Sequence, residues 1–460
     1  MINKIRQTDK WKLVIWGLLL VLLAVYFVSL YYPDIYITYR HSLTFLDCIK
    51  NGELFNFYQI SLQTQSELGY AATYFIPIYI IFAIWNFPIW IATRFCGISA
   101  ENAGCLLWSK SVIIVFAMAS IYVLIQIMKR MSEYKKIEFS VFLFASSLFF
   151  VLPSFAMSQY DIIECFFVLC GIYYYMKDEK ISWRVWLFFS IAVSVKLMAV
   201  FILLMLILLI EKRLIYIAFH MARSFIISFV TMLPFYANGY QECAGTLNQS
   251  FVGRLFVAVV PGGISSLSLF WIGFTSIAIL AYLLKPKGLH EVIKQLIWLS
   301  VFTFMLLFTF VLCHPQWMIL FLPFLILLTV QWKENLKINL ILEIIAEITL
   351  IVVQGFYFHW VYFSETSFEQ LIFRSNIKYE SGIGNLLDIA ERFGISPCIP
   401  GAYAVFFVCI AALLILNNPW HPILCRAEET KEMVVEKTAR ILRIAMLTFY
   451  FLITCAIAFT

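Results

Sequence analysis

The residues of this chain with the most chemical potential are carboxylates that adjoin long apolar runs. The tetrapeptide Ser158-Gln159-Tyr160-Asp161, followed by Glu164, lies between two such runs. A carboxylate at membrane depth costs on the order of 2.5–3.5 kcal/mol on insertion scales, so it usually faces a protein interior or a watery cavity. Asp161 is therefore a candidate site residue. The alternative interpretation is a helix N-cap, with Glu164 completing a capping box.

A lysine inside an apolar run is a second unusual charge. Lys196 lies within the run 185–210, which basic residues flank on both sides. An ammonium group is costly in lipid unless it meets an anion or a cavity. Two partners stay open for it: a lipid phosphate, or an ion pair with Asp161 or Glu164. The flanking charges also predict that the run leaves and returns as a short helix pair that turns near Lys196.

Composition sets the class of protein that must position these charges. The chain is 63% hydrophobic, 18% aromatic and only 13% charged, which would give a soluble protein a large exposed apolar surface. The sequence therefore predicts an all-α polytopic membrane protein. The net charge of +6 does not indicate a nucleic-acid partner, because the Lys and Arg residues cluster at the ends of apolar segments and form no continuous basic face.

The apolar segments predict about 13 transmembrane helices, with the run 185–210 counted twice. The first, Leu13 to Tyr32, follows a basic start and is expected to be retained, with the N-terminus in the cytosol. The others are predicted at 107–128, 138–156, 162–176, 185–210, 214–236, 264–284, 293–313, 317–331, 338–358, 400–416 and 442–459. The segment 71–92 is interrupted by Pro77, Asn86 and Pro88, so we expect it along the outer membrane surface.

This topology gathers acidic residues at the outer face. Residues 33–52 follow the first span and end at a glycine, and their apolar spacing predicts an amphipathic helix on the membrane. Asp34 lies at its start, where helix capping is an alternative to a functional role. For Asp47 the alternative is a solvated helix face. The same face is expected to carry Asp161, Glu164, His314 and the loop 359–399.

Several classes of protein are disfavoured by missing motifs. The sequence contains no Walker loop and no dinucleotide fingerprint, which argues against an ATP-driven pump. It contains no His/Cys cluster with metal-ligand spacing, and we predict neither a metal nor a cofactor. No internal repeat is visible, which weakly disfavours an inverted-repeat transporter.

Four motifs in order resemble the GT-C superfamily of integral-membrane glycosyltransferases. They are an Asp-containing loop after the first span, Ser158-Gln159-Tyr160-Asp161, Ile191-Ala192-Val193-Ser194-Val195-Lys196-Leu197 and His314-Pro315-Gln316-Trp317. The likeness is closest to bacterial polyprenol-phosphate-sugar-dependent enzymes of the mannosyltransferase type, and it covers the chain to about residue 330.

The resemblance implies a GT-C-like bundle with juxtamembrane helices on the outer surface of the first loop. It divides the chain into a catalytic transmembrane module at 1–331, which includes the first outer loop 33–106, and C-terminal transmembrane helices at 332–460 with the outer loop 359–399. If the chain is bacterial, the membrane is the plasma membrane, and the active site faces outward.

The resemblance also implies a mechanism. Asp34 would act as general base on an acceptor hydroxyl of a glycan, lipid or protein. That hydroxyl displaces polyprenyl phosphate from a single sugar, expected to be a hexose, with inversion. Many members carry paired acids, whereas Ile35 follows Asp34, so Asp47 is the alternative base. The leaving phosphate needs a cation, for which Lys196 is the natural candidate. The implied substrate-binding residues are Gln159, Tyr160, Asp161, Glu164, Lys196, His314 and Gln316.

A rival interpretation comes from another class of protein. In a membrane carrier or a flippase for lipid-linked glycans, Asp161, Glu164 and Lys196 would form an ion relay. A carrier is expected to place such charges near mid-membrane in repeated, broken helices. Here they gather toward one face, which favours the enzyme.

Overall fold

The computed structural model describes residues 2–131, 136–244, 253–261, 265–358, 386–425 and 432–459. The chain forms two compact units that are interleaved along the sequence. Unit 1 comprises Met1–Tyr32, Met131–Ser158 and His314–Thr460, and unit 2 comprises Pro33–Arg130 and Gln159–Cys313. Most of the predicted outer loop 359–399, namely residues 359–385, lies outside the described residues.

The described secondary structure is almost entirely helical. In chain order the helices are α1 Ile2–Ser29, α2 Pro33–Asn51, α3 Phe57–Gln63, α4 Gln65–Leu68, α5 Ile76–Phe95, α6 Ala103–Arg130, α7 Ile137–Ser146, α8 Leu148–Val151, α9 Asp161–Asp178, α10 Trp183–Val195, α11 Ala199–Ile210, α12 Leu214–Ser224, α13 Ile226–Met232, α14 Leu269–Leu283, α15 Leu289–Phe310, α16 Met318–Val330, α17 Leu336–Tyr357, α18 Leu386–Arg392, α19 Ile399–Leu416 and α20 Glu432–Phe459. Two short antiparallel strands, β1 Val259–Val260 and β2 Leu267–Ser268, pair between α13 and α14.

Within the described residues, six helices are long and apolar enough to cross a membrane, or up to eight if each of two bent pairs is one span. The single helices are Lys10–Ser29, Ile76–Phe95, Ala103–Arg130, Leu289–Phe310, Ser396–Leu416 and Met433–Ala456. The bent pairs are Ile137–Ser146 with Leu148–Ala156, and Leu214–Ser224 with Ile226–Met232. The chain is thus a multi-pass membrane protein whose described residues are almost entirely helical, and the predicted number of about 13 spans stays a prediction.

The prolines of the segment 71–92 do not interrupt its helix, contrary to the sequence-based expectation. Helix α5 runs without a break from Ile76 to Phe95. Pro77 lies in its first turn, where the missing N–H would be unpaired in any residue, and Pro88 is accommodated inside the helix. The Asn86 amide is buried and donates to Ser42 and Ser109 hydroxyls, so it does not break the helix either.

In unit 2, helix α9 packs between α6 and α10. Aromatic rings fill both interfaces: Phe116 lies 5.5 Å from Phe166 on the α6 side, and Tyr174 stacks on Phe188 at 5.1 Å on the α10 side. A Cβ atom at Gly171 would come within 2.6 Å of the Phe189 ring. Glycine is therefore required there for α9 and α10 to approach this closely.

The apolar run 185–210 is divided at Lys196 into α10 and α11. Lys196 has extended backbone angles, with φ −157° and ψ 144°. The run begins and ends near the C-terminal end of helix α9. Arg184, at its start, pairs with Asp178 of α9, and Leu209, near its end, lines a cavity together with Tyr175 of α9. The break places a charged side chain at the turn of a helix pair.

Unit 1 has ionic groups in its helical core. The Arg443 guanidinium of α20 is fully buried and forms ion pairs with Glu343 and Glu347 of α17, the latter at 2.9 Å. Glu347 also accepts hydrogen bonds from the Ser147 hydroxyl and, at 3.2 Å, from the Phe149 amide, where α7 and α8 meet at a 59° bend. One carboxylate thus satisfies donors that the bend exposes.

Candidate functional site

The turn before α9 carries the predicted Gln-Tyr-Asp motif into the interior of unit 2. Gln159, Tyr160 and Asp161 are all buried. The preceding residue, Ser158, has a φ of +60°, a left-handed conformation that few residues other than glycine adopt. Tyr160, not Asp161, occupies the N-cap position of α9. The alternative interpretation of Asp161 as a helix N-cap, with Glu164 completing a capping box, is therefore wrong.

Asp34 is fixed at the start of α2 by two side-chain donors. The Tyr70 hydroxyl donates to Oδ1 at 2.8 Å, and Gln159 Nε2 donates to Oδ2 at 3.0 Å. The two donors come from positions 36 and 125 residues further along the chain. Both carboxylate oxygens are thus held by tertiary contacts. A carboxylate retains further acceptor positions after two such bonds, so it can still take a proton.

The environment of Asp34 raises the pKa of its carboxyl group. Burial is the main cause, because removal from water disfavours the charged form. The hydrogen bonds from Tyr70 and Gln159 and the charge of Lys196 act in the opposite direction, and the charge of Asp161 adds to the increase. A carboxylate whose pKa is raised toward neutrality is a better general base than an exposed one.

Lys196 reaches Asp161 from the break between α10 and α11. Its Nζ atom forms a short ion pair with Asp161 Oδ1, and the two side chains are 16% and 2% exposed. Glu164, one turn further along α9, accepts a hydrogen bond from the Ala199 amide at 2.7 Å. It thereby satisfies one of the free amides at the start of α11. The ion pair and this cap together fix the break against α9.

We call Asp34, Tyr70, Gln159, Asp161, Glu164 and Lys196 the acidic cluster. It contains three carboxylates and one lysine, so it carries an excess of negative charge when all four groups are ionised. Two of its buried acceptor atoms, Gln159 Oε1 and Asp161 Oδ2, have no hydrogen-bond partner within the described residues. Buried acceptors are normally paired. Hydroxyl groups of a bound molecule would satisfy them.

Aromatic residues form one wall beside the acidic cluster. The Tyr160 ring contacts Tyr74 at 5.2 Å and Phe82 at 5.7 Å, both edge to face. Tyr70 comes shortly before Tyr74 in the sequence, and His41 Nε2 lies 3.1 Å from the Tyr70 carbonyl oxygen. Burial lowers the pKa of His41 to about 4, so the ring is neutral at pH 7 and its N–H can donate to that carbonyl. The segment that supplies Tyr70 is thereby anchored to α2.

Tyr70 is the cluster residue that the sequence does not single out for a polar role. It stands in an aromatic-rich segment, after Gly69, and nothing in that pattern distinguishes its hydroxyl from those of neighbouring tyrosines. The turn at Gly69, with a φ of +100°, is the available local signal. Such a turn indicates a change of direction but no partner for the next side chain.

The remaining predicted site residues are Asp47, His314 and Gln316. Asp47 is near the far end of α2, about 20 Å along the axis from Asp34. It accepts hydrogen bonds from Trp90 Nε1 at 2.8 Å and from Arg94 Nε at 3.0 Å, so its charge is already neutralised. His314 and Gln316 belong to unit 1. There the His314 ring contacts Trp317 and Phe358, and Gln316 is buried.

The chemistry of the acidic cluster follows from its own groups. Within the described parts of the chain, no three His, Cys, Asp or Glu side chains are grouped so that they could hold a metal ion. The cluster combines a partly exposed carboxylate held by two side-chain donors, a lysine at a helix break and buried acceptor atoms, an arrangement suited to proton abstraction next to an anion. Compared with known proteins, the chain matches no family model, no curated protein and no solved structure.

Proposed function

We propose that this chain is a membrane glycosyltransferase of the GT-C type. It transfers a single hexose from a polyprenyl-phosphate donor to a hydroxyl of a glycan, lipid or protein acceptor. The reaction takes place at the outer membrane face, and the N-terminus lies in the cytosol. This sidedness follows from the positive-inside rule, and the reaction follows from the motif order described above.

The observation that carries this proposal is the proximity of Asp34 and Lys196. Gln159 donates a hydrogen bond to Asp34, and Asp161, two residues further along the chain, forms an ion pair with Lys196, whose charge also acts on the Asp34 carboxyl group. These residues come from α2, the start of α9 and the break after α10, and Asp34 and Lys196 are each only partly exposed. Displacement of a phosphate by a hydroxyl group requires both groups.

Each bond change in the transfer can be assigned to a residue of the acidic cluster. The acceptor oxygen forms a bond to the anomeric carbon of the sugar while its proton passes to Asp34. The bond between that carbon and the phosphate oxygen breaks, and its electron pair leaves with polyprenyl phosphate. Lys196 stabilises the growing phosphate charge, while Gln159 and Asp161 accept hydrogen bonds from sugar hydroxyls. The attack from the opposite face inverts the anomeric configuration.

Aspartate 34 is preferred to the alternative base, Asp47, because of what each carboxylate contacts. Asp47 is neutralised by Arg94, whereas Asp34 receives only neutral donors, Tyr70 and Gln159. The carboxylate of Asp47 is occupied by Arg94 and by the Trp90 indole N–H, which leaves it less accessible to an acceptor hydroxyl. The proton-accepting role therefore goes to Asp34.

The proposal is tested with the purified full chain in liposomes. Radiolabelled polyprenyl-phosphate sugars are offered with candidate acceptors, and the wild type is compared with Asp34→Asn. We expect transfer of one sugar by the wild type, a product of inverted anomeric configuration, and at least a 100-fold loss in the variant. Absence of transfer with every donor, or a product of retained configuration, would contradict the proposal.

A carrier is the second candidate, and the helix break at Lys196 is the observation that favours it. Broken helices with charged residues at the break are typical of secondary transporters. In that case Asp161, Glu164 and Lys196 relay an ion. Uptake of a labelled lipid-linked glycan or of protons into the same liposomes, with no covalent product, would favour the carrier.

A further inference from the structure

A cavity of about 450 Å³ lies at the end of α9 and α11 that is remote from the acidic cluster. Helix α9 begins at Asp161 and is about 27 Å long, so the cavity is separated from the cluster by the length of a membrane-sized helix. Its lining includes Tyr175 and Glu179 from the end of α9 and Leu209 from the end of α11. Two lysines, Lys212 and Lys285, complete its polar side.

The two lysines place like charges around one cavity. Lys212 Nζ donates to the carbonyl oxygens of Leu208 and, at 3.2 Å, Ala281, which uses two of the three donors of an ammonium group. Lys285 is exposed and has no ion-pair partner within the described residues. Burial, and next the charge of Lys285, lower the pKa of Lys212. An anion between the two lysines would relieve their repulsion.

The surroundings of the cavity are those of a membrane surface. Helix α12 follows Lys212 directly and exposes large apolar side chains, with Leu214 at 72% and Ile215 at 75%. Arg213 lies at its start, and Arg223, in its last turn, lies over the Trp186 ring. Exposed apolar residues next to an arginine at the start of a helix are typical of a segment that begins at the lipid headgroup region, which also fits α12 as the first part of the bent span with α13.

We propose that this cavity binds the phosphate group of an anionic membrane lipid, with the two lysines contacting the phosphate and the lipid tails extending over the apolar surface of α12. Glu179 is the one acidic residue among its lining residues, and it weakens the binding of an anion. The site is independent of the transfer reaction proposed above. It is a structural lipid site at the end of the bundle that is rich in Lys and Arg.

The test measures lipid binding to the detergent-solubilised full chain by native mass spectrometry. The probes are dioctanoyl phosphatidylglycerol, dioctanoyl phosphatidylcholine and inorganic phosphate. We expect one phosphatidylglycerol to bind more tightly than phosphatidylcholine, and Lys285→Gln to weaken its binding about fivefold. Glu179→Gln is expected to strengthen it. Lys285 is exposed and unpaired in the described structure, so its substitution leaves the fold intact.

Lys287→Gln is the matched control, since Lys287 lies two residues from Lys285 but does not line the cavity. We expect it to bind phosphatidylglycerol as the wild type does. Equal binding by Lys285→Gln and the wild type would overturn the proposal, as would an equal loss in both lysine variants. Competition by inorganic phosphate at concentrations equal to those of phosphatidylglycerol would also overturn it, because the occupant would then be a free anion.

Discussion

The Tyr70 hydroxyl donates a hydrogen bond to Asp34 Oδ1 at 2.8 Å, although 36 residues separate the two along the chain. This bond acts on the proposed base directly, because it favours the charged carboxylate and opposes the effect of burial on its pKa. Tyr70 is thus a positioning residue, whose removal changes the proton affinity of Asp34 as well as its orientation.

The first prediction concerns the pH dependence of wild-type transfer. Asp34 must be deprotonated to accept a proton, and burial raises its pKa above the usual value near 3.8. We therefore expect kcat/KM to fall as the pH decreases through this raised pKa. A pH–rate profile of the free enzyme measures it. A profile that stays flat down to pH 4 would show that Asp34 is not the titrating base.

Removal of the Tyr70 hydroxyl shifts this profile. In Tyr70→Phe, Asp34 loses a hydrogen bond that lowers its pKa. The acid limb of the kcat/KM profile should therefore move to higher pH. The hydrogen bond from Tyr70 favours the charged carboxylate, so its loss should move the pKa of Asp34 upward. Tyr39→Phe, which removes a hydroxyl bonded to the Ala100 carbonyl, is the control and should leave the limb in place. An identical shift in both variants would argue against a specific effect of Tyr70.

Variants of the ion pair between Lys196 and Asp161 distinguish its effect on stability from its effect on transfer. Lys196→Met leaves a buried carboxylate without its partner, which should cost about 3–5 kcal/mol of unfolding free energy. Adding Asp161→Asn removes that charge and should restore most of the loss, while transfer stays abolished because the phosphate has no cation. Thermal unfolding followed by tryptophan fluorescence and the liposome assay measure the two effects. Recovery of transfer in the double variant would exclude a phosphate-binding role for Lys196.

The buried ionic group of unit 1 predicts a purely structural effect. Arg443→Gln leaves Glu343 and Glu347 buried without a counter-charge, so we expect a loss of about 3–5 kcal/mol in stability. Arg213→Gln breaks an exposed ion pair with Glu211 and should leave the melting temperature unchanged. Equal melting temperatures for the two variants would show that the buried group does not stabilise unit 1.

Much of the helical organisation could be predicted because helices depend on local sequence patterns. The amphipathic segment predicted at 33–52 is helix α2, Pro33–Asn51, and the segment 338–358 is helical as α17, Leu336–Tyr357, although α17 is not among the described helices that are apolar enough to cross a membrane. The proline argument failed at α5, since the first turn of a helix tolerates Pro77 and the helix continues through Pro88 to Phe95. The interleaving of two units along the chain depends on long-range contacts and has no local signal.

The candidate site was predictable in its charged residues but not in its hydrogen bonds. Asp161 and Lys196 stand out because each charge adjoins an apolar run. The bonds from Tyr70 and Gln159 to Asp34 join distant segments, and so does the Glu164 cap on α11. The sequence does not indicate the ion pairs of Arg443 in unit 1 for the same reason, because their partners are 96 and 100 residues away.

The most direct test of the central claim compares Asp34→Asn with Asp47→Asn. Both substitutions remove one carboxylate charge from helix α2 and keep the side-chain size nearly constant. Initial rates of sugar transfer from a polyprenyl-phosphate donor are measured for each folded variant at a pH above the pKa of Asp34. We predict at least a 100-fold loss in Asp34→Asn and a rate within about threefold of wild type in Asp47→Asn. Undiminished transfer by Asp34→Asn, or a large loss confined to Asp47→Asn, would contradict the account.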